Sequence, residues 1–227
     1  MKKTALFDAL KQQILQLDLE PGSALDEVSL CDVYSVSRTP LREVLQRLAG
    51  AGFVKIEPNR GASVSSMDLE TMRTFFQTAP MIYASVARLA AEKATRTSVI
   101  TLRDIQTLFR TAVKDARPRD MAISNYQLHE AMGVMADNPY LSPSLNRLLI
   151  DHTRMSQTFY RSRTETERKR ITTACDQHDE MIDAIEAHEA SRAVELTLDH
   201  WALSRDRMEL YVRPDPLPLD PEIRDAV

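Results

Sequence analysis

The chain has 227 residues, 43% of them hydrophobic, and carries 29 Lys or Arg against 33 Asp or Glu for a formal net charge of −4. That balance excludes a largely disordered chain, and the length allows two modest domains with separate cores. Its longest apolar runs are too short to cross a bilayer and no charged-then-apolar leader opens it, so a cytoplasmic protein with no membrane association is expected.

Apolar residues at helical spacing (Leu6, Leu10, Ile14, Leu17) predict a first helix over 5–17, ended by the turn pair Pro21-Gly22. A shorter second helix spans 26–34, and the Ser35-Val36 turn leads to a third over 37–48. There Leu41, Val44, Leu45 and Leu48 form one buried stripe. Arg38 and Arg42 lie one turn apart on another face, with Thr39, Glu43, Gln46 and Arg47 nearby. Ser37 is the expected N-cap, and Pro40 sits in the first turn, where a missing N–H costs little. Two alternating runs, 53–57 and 62–65, flank Pro58-Asn59-Arg60-Gly61 and predict a two-stranded wing with a basic tip. This order of elements is a winged helix-turn-helix over 1–66, whose third helix suits the major groove of DNA. Residues 1–66 hold equal numbers of acidic and basic side chains, so total charge does not mark the domain. Between Ser37 and Gly61, however, Arg38, Arg42, Arg47, Lys55 and Arg60 face only Glu43 and Glu57.

Residues 67–212 are almost free of glycine and predict helices at about 68–95, 98–115, 119–136, 140–161, 165–188 and 190–211, with Pro80 kinking or breaking the first. A Pro-rich tail, 213–227, follows. The fold class is therefore mainly α: an N-terminal winged helix-turn-helix domain and a C-terminal antiparallel all-helical bundle. Cys31 and Cys175 fall in different domains, which indicates neither a disulfide framework nor a paired-cysteine zinc motif. Asn125 and His129 share a helical face, while His178 and His200 lie on two later helices, so three helices can converge on one divalent transition metal ion. Each histidine taken singly also fits a surface or satisfied core position. Cys175 and His178 form a competing C-x-x-H pair.

LEPGSALDEVSL, VSRTPLREVLQRLAGAGFV and PNRGASV together resemble the N-terminal domain of the GntR family of bacterial transcription regulators. NYQLH followed by ADNPYL, and QHDEMIDAIEAHEASRAVELTLDH, resemble the two signatures of the all-helical FCD effector domain of its FadR branch, in the six-helix, VanR-like form. The resemblance implies base contacts from Arg38 and Arg42, a base or phosphate contact from Arg47 and a phosphate contact from Thr39. It also places Asn59, Arg60 and Gly61 in or beside the minor groove. Val28 follows Glu27 where some relatives have an arginine, removing one DNA contact. In the second domain the resemblance makes Asn125, His129, His178 and His200 the ligands of a metal such as Zn or Ni, with Asn125 where an aspartate is usual. Relatives often place an Arg and a Glu where this chain has Ala79 and Tyr83, which are expected to pack in the bundle. The cation for an anionic effector is then sought at Arg88, Arg154, Arg161 or Arg163.

The expected function is a homodimeric regulator, not an enzyme, that binds a pseudo-palindromic double-stranded DNA operator. A repressor is expected, its affinity controlled by a small metabolite, an organic acid or other carboxylate, at the metal-containing pocket. Two alternatives stand beside it. One is a metal-dependent hydrolase or lyase on the three-histidine centre, with Glu130 or Asp179 as general base. The other is a dimeric repressor that needs no ligand.

Overall fold

A computed structural model describes the backbone of residues 2–209 and the side chains of residues 2–203. The expected Pro-rich tail and the last two residues of the expected sixth bundle helix lie outside the described residues.

The N-terminal unit contains α1 (Lys3–Leu15), β1 (Ala24–Leu25), α2 (Glu27–Tyr34), α3 (Arg38–Gly50), β2 (Val54–Glu57) and β3 (Gly61–Val64). Leu6, Leu10 and Ile14 of α1 meet Leu41, Val44, Leu45 and Leu48 of α3 in one buried cluster, as their spacing predicts. Burying each such leucine stabilises the unit by about 1.5–3 kcal/mol. Asp26 caps α2, accepting from the backbone N–H of Val28 and Ser29. Ser37 occupies the N-cap position of α3, but its side chain accepts no hydrogen bond. The wing pairs Val54 with Val64 and Glu57 with Gly61 in antiparallel register. Asn59 and Gly61 both take positive φ in its turn, a conformation these residue types tolerate. The two-residue β1 completes the sheet in the order β1-β3-β2; so short a strand leaves no alternation to read in the sequence.

The helical unit contains α4 (Leu69–Glu92), α5 (Arg96–Lys114), α6 (Pro118–Ala136), α7 (Leu141–Phe159), α8 (Glu165–Glu186) and α9 (Ala190–Glu209). Thr95 and Thr164 begin α5 and α8 with capping boxes. α4 runs through Pro80 without a break; the proline only deprives the carbonyl of Phe76 of its donor. α6 and α7 are buried on most sides, because each packs against several helices. Gly133 lets α7 come close to α6, since an added Cβ there would collide with Leu145.

The two units share one continuous apolar cluster. Polar contacts add to it. Arg119 Nη1 and Nη2 donate to the Asp18 carboxylate at 3.2 and 2.7 Å, Gln157 Nε2 donates to the Leu15 carbonyl at 3.2 Å, and the Lys11 ammonium lies 4.6 Å from the Tyr126 ring centroid.

Candidate nucleic-acid interface and histidine centre

α3 buries its apolar stripe and leaves Arg38, Thr39, Arg42 and Arg47 exposed along the opposite side. Asn59, Arg60 and Gly61 stand exposed at the wing tip. The cations are less free than the sequence suggests. Arg42 Nε donates to both Glu27 carboxylate oxygens, at 3.1 and 2.9 Å, and Arg47 stacks its guanidinium 4.7 Å from the Phe7 ring centroid. Glu57 pairs with Lys55 at 2.7 Å and with Arg60 at 3.5 Å. Counting charge only from Ser37 onward missed Glu27, which reaches α3 from α2.

Four helices bring one histidine each into the bundle core: His129 on α6, His152 on α7, His178 on α8 and His200 on α9, with Asn125 one turn before His129. Ligand atoms of His129, His178 and His200 all lie within 4.8 Å of one another. The Nε2 atoms of His178 and His200 are 3.3 Å apart. Gln106 determines which tautomer His178 adopts. Its amide nitrogen donates to the Cys175 carbonyl at 2.8 Å and to the Asp179 carboxylate at 3.1 Å, so its oxygen is the atom facing His178 Nδ1 at 3.1 Å. Nδ1 therefore carries the proton and Nε2 offers a lone pair. Gln177 lies 3.1 Å from His200 Nδ1, but among the described residues no hydrogen bond from its amide nitrogen to another group selects a tautomer for that ring. The His178 lone pair thus faces His200 Nε2, where it can accept the proton of that ring or bind a cation.

The same region holds buried polar atoms without partners. Neither side-chain atom of Asn125 nor either ring nitrogen of His129 has a hydrogen bond, although the residues are only 1% and 2% exposed. Such groups cost about 1–3 kcal/mol each when left unsatisfied. Burial keeps the imidazoles neutral: His200 is pushed down to about 4 and His152 to about 3. His129 and His178 are driven well below the ordinary range by burial first and by neighbouring histidines second. Neutral imidazole is the metal-ligating form. The donor set therefore fits a divalent transition ion: three imidazole nitrogens and an amide oxygen that adds no charge.

His152 is the residue the sequence reading missed. Its Nδ1 lies 2.8 Å from the Tyr83 hydroxyl, and the Tyr83 ring meets the His129 ring edge-on at 5.1 Å. In the C-terminal half of α7 even Asp151, Thr153, Arg154, Ser156 and Gln157 are buried, so polarity there does not mark an outward face and a core histidine does not stand out. Ala79 and Tyr83 pack in the bundle as expected.

Other expected roles need correction. Arg154 is engaged within the fold rather than standing as an open cation. Its buried guanidinium donates to the Ser65 carbonyl at 2.7 Å and pairs with Asp151, where it clamps the segment between the units. Arg88, Arg161 and Arg163 are exposed and do not reach the histidines. Asp179 is engaged by Arg110 and Gln106, and Glu130 accepts from the Tyr126 hydroxyl at 2.8 Å, so neither is an unengaged base at the centre. Cys175 contacts Gln106 rather than joining His178 in a metal pair.

A family model for the FCD domain matches residues 76–203, and one described as bacterial regulatory proteins, gntR family, matches residues 2–64. The chain belongs to the GntR family. The Nta operon transcriptional regulator of Aminobacter aminovorans is 36% identical over 84 residues, covering 37% of this chain and 40% of that one. The HTH-type transcriptional repressor RspR of Escherichia coli (strain K12) is 26% identical over 132 residues, 58% of each chain. The GntR chain thus spans about half the length of these relatives. A solved structure of E. coli McbR/YncC superposes with a TM-score of 0.77 at 16% identity, covering 94% of this chain and 100% of that one, which establishes the shared fold. The matched families and relatives are regulators rather than enzymes. No helix among the described residues is long and apolar enough to cross a membrane.

Proposed function

We propose that this GntR-family protein is a homodimeric, DNA-binding transcription repressor. Its operator affinity responds to a small organic acid held at an ion in the histidine centre. The exposed Arg38, Thr39 and Arg42 on α3 and the wing tip at Asn59, Arg60 and Gly61 support the DNA-reading part. One recognition helix offers too little contact for a specific site, which favours two copies on a pseudo-palindrome. The repressor sense follows the relative described as a repressor.

The observation that carries the sensory part is the Nε2 lone pair of His178 facing His200, beside the unpartnered Asn125 and His129. His129, His178 and His200 would hold a divalent ion such as Zn or Ni, and Asn125 would offer its oxygen. When bound, the ion supplies a Lewis-acidic position for an anionic oxygen of the metabolite. Gln106 holds the His178 ring in its ligating tautomer, and Tyr83 and His152 border the same space. A metabolite that prefers one placement of the DNA-binding units must shift operator affinity, and the operator must shift metabolite affinity by the same factor.

The test is a salt series of binding to duplexes from upstream of its own coding sequence, with wild type and Arg38→Ala/Arg42→Ala, each chelated and zinc-restored. Salt-sensitive binding lost in the double variant, with an affinity that changes on restoring zinc, is the expected result. Equal weak binding by both proteins on every duplex overturns the DNA reading. Specific binding indifferent to zinc replaces the sensory reading with a dimeric repressor that needs no ligand.

A further inference from the structure

A cavity of about 450 Å³ opens on the bundle surface between the α5–α6 turn, the α7–α8 segment and the first turns of α8. Its walls carry Arg161, Arg163 and Arg168, and its apolar side includes the buried Met121, Tyr160 and Ile171. Those three apolar residues belong to a small cluster separate from the main core. Among the described residues no acidic side chain lines the cavity, and the nearby Glu167 carboxylate accepts from the backbone N–H of Arg163 and Thr164. Arg168 is paired with Glu165 at 2.8 Å, whereas no ion pair engages the Arg161 or Arg163 side chain among the described residues.

Two further features favour negative charge here. α6 starts at the cavity wall with Pro118 and has no side-chain cap, although Asp120 in its first turn, paired with Arg117, offsets part of the positive helix end. Ser162 and Thr172 add hydroxyl groups to the lining. Guanidiniums gathered around an uncharged apolar floor match a ligand with an anionic head and an apolar body.

We infer that this cavity is a second small-molecule site, distinct from the histidine centre, and that it takes an organic carboxylate whose head group lies between Arg161 and Arg163 and whose body rests on Met121, Tyr160 and Ile171. Phe109 divides the two sites: its ring centroid lies 5.6 Å from that of Tyr160 and 4.8 Å from that of His178. The residues lining the cavity all belong to the helical unit, but two of its wall segments run on to contacts with the DNA-binding unit. The α6 start that forms its wall carries Arg119, which grips Asp18, and Gln157, one turn before Arg161, holds the Leu15 carbonyl. A ligand here therefore touches the two segments that hold the DNA-binding unit.

Calorimetric titration of the full chain with benzoate, benzyl alcohol and inorganic phosphate tests the assignment, using wild type and Arg161→Gln/Arg163→Gln in chelator, and wild type again with zinc. Both arginines are exposed, so the double variant should keep its fold, checked by circular dichroism. Benzoate should saturate the chelated wild type, bind at least about tenfold more weakly to the variant, and outbind both the neutral alcohol and phosphate. Equal benzoate affinity in wild type and variant, benzoate binding that appears only with zinc, or no saturation at millimolar benzoate each overturns the proposal.

Discussion

His178 and His200 face each other through Nε2 atoms 3.3 Å apart, and the Gln106 oxygen holds the Nδ1–H of His178. An ion held here would also satisfy a ring nitrogen of His129 that has no partner, and burial keeps the rings in the neutral, ligating form.

Zinc or nickel added to chelated protein should therefore raise the melting temperature. At ion concentrations about 100 times Kd the stabilisation is about 2.7 kcal/mol. His200→Ala should abolish the shift. Scanning calorimetry reads both, and an unchanged midpoint in the wild type contradicts ion binding.

Asn125→Asp should invert the order of stability. In chelator the variant is weaker than wild type by about 1–3 kcal/mol, because a carboxylate has been buried beside neutral imidazoles. With the ion bound, the added negative charge tightens coordination, and the variant should match or exceed wild type. Denaturation with and without zinc distinguishes this crossing from simple damage.

In chelator, acid should destabilise the protein in a defined window. His152 and His200 have folded pKa values of about 3 and about 4, below the unfolded value of about 6.5. Between those limits the unfolded chain binds more protons, so stability is fully present above about pH 6.5 and falls as pH drops toward 4 and then 3, by up to about 1.4 kcal/mol per pH unit for each histidine. His152→Phe should make the fall shallower. An identical slope in that variant would count against neutral burial of His152.

Arg154→Ala should cost about 3 kcal/mol, since it leaves Asp151 buried with only Arg147 as partner and strips the Ser65 carbonyl of its donor. Urea denaturation gives the loss, and adding Asp151→Asn should recover part of it. A change under about 0.5 kcal/mol, typical of a surface site, would show that the clamp is not formed.

Glu27→Gln should remove the charge that holds Arg42 Nε and loosen its hold on that side chain. Non-specific duplexes should then bind more tightly, with a steeper salt dependence, while discrimination between operator and random DNA falls by about 1–3 kcal/mol. Competition binding at two salt concentrations measures both. Unchanged discrimination would mean that Glu27 does not orient the Arg42 fork.

Local pattern made much of this protein legible. The stripe from Leu41 to Leu48, the turn at Pro58-Asn59-Arg60-Gly61 and the capping residues Thr95 and Thr164 act within a few residues of themselves, so sequence spacing by itself determined the helices, the wing and the face α3 turns outward. Tertiary structure alone decided which side chains meet. Gln106 reaches His178 across 72 positions, Tyr83 reaches His152 across 69, and Arg154 turns to Ser65 across 89. Helical periodicity states which face is buried but not which helix covers it, and on α7, buried on most sides, it states neither. Only packing of the bundle could add His152 to the centre and turn Arg154 from an effector contact into a clamp between the units.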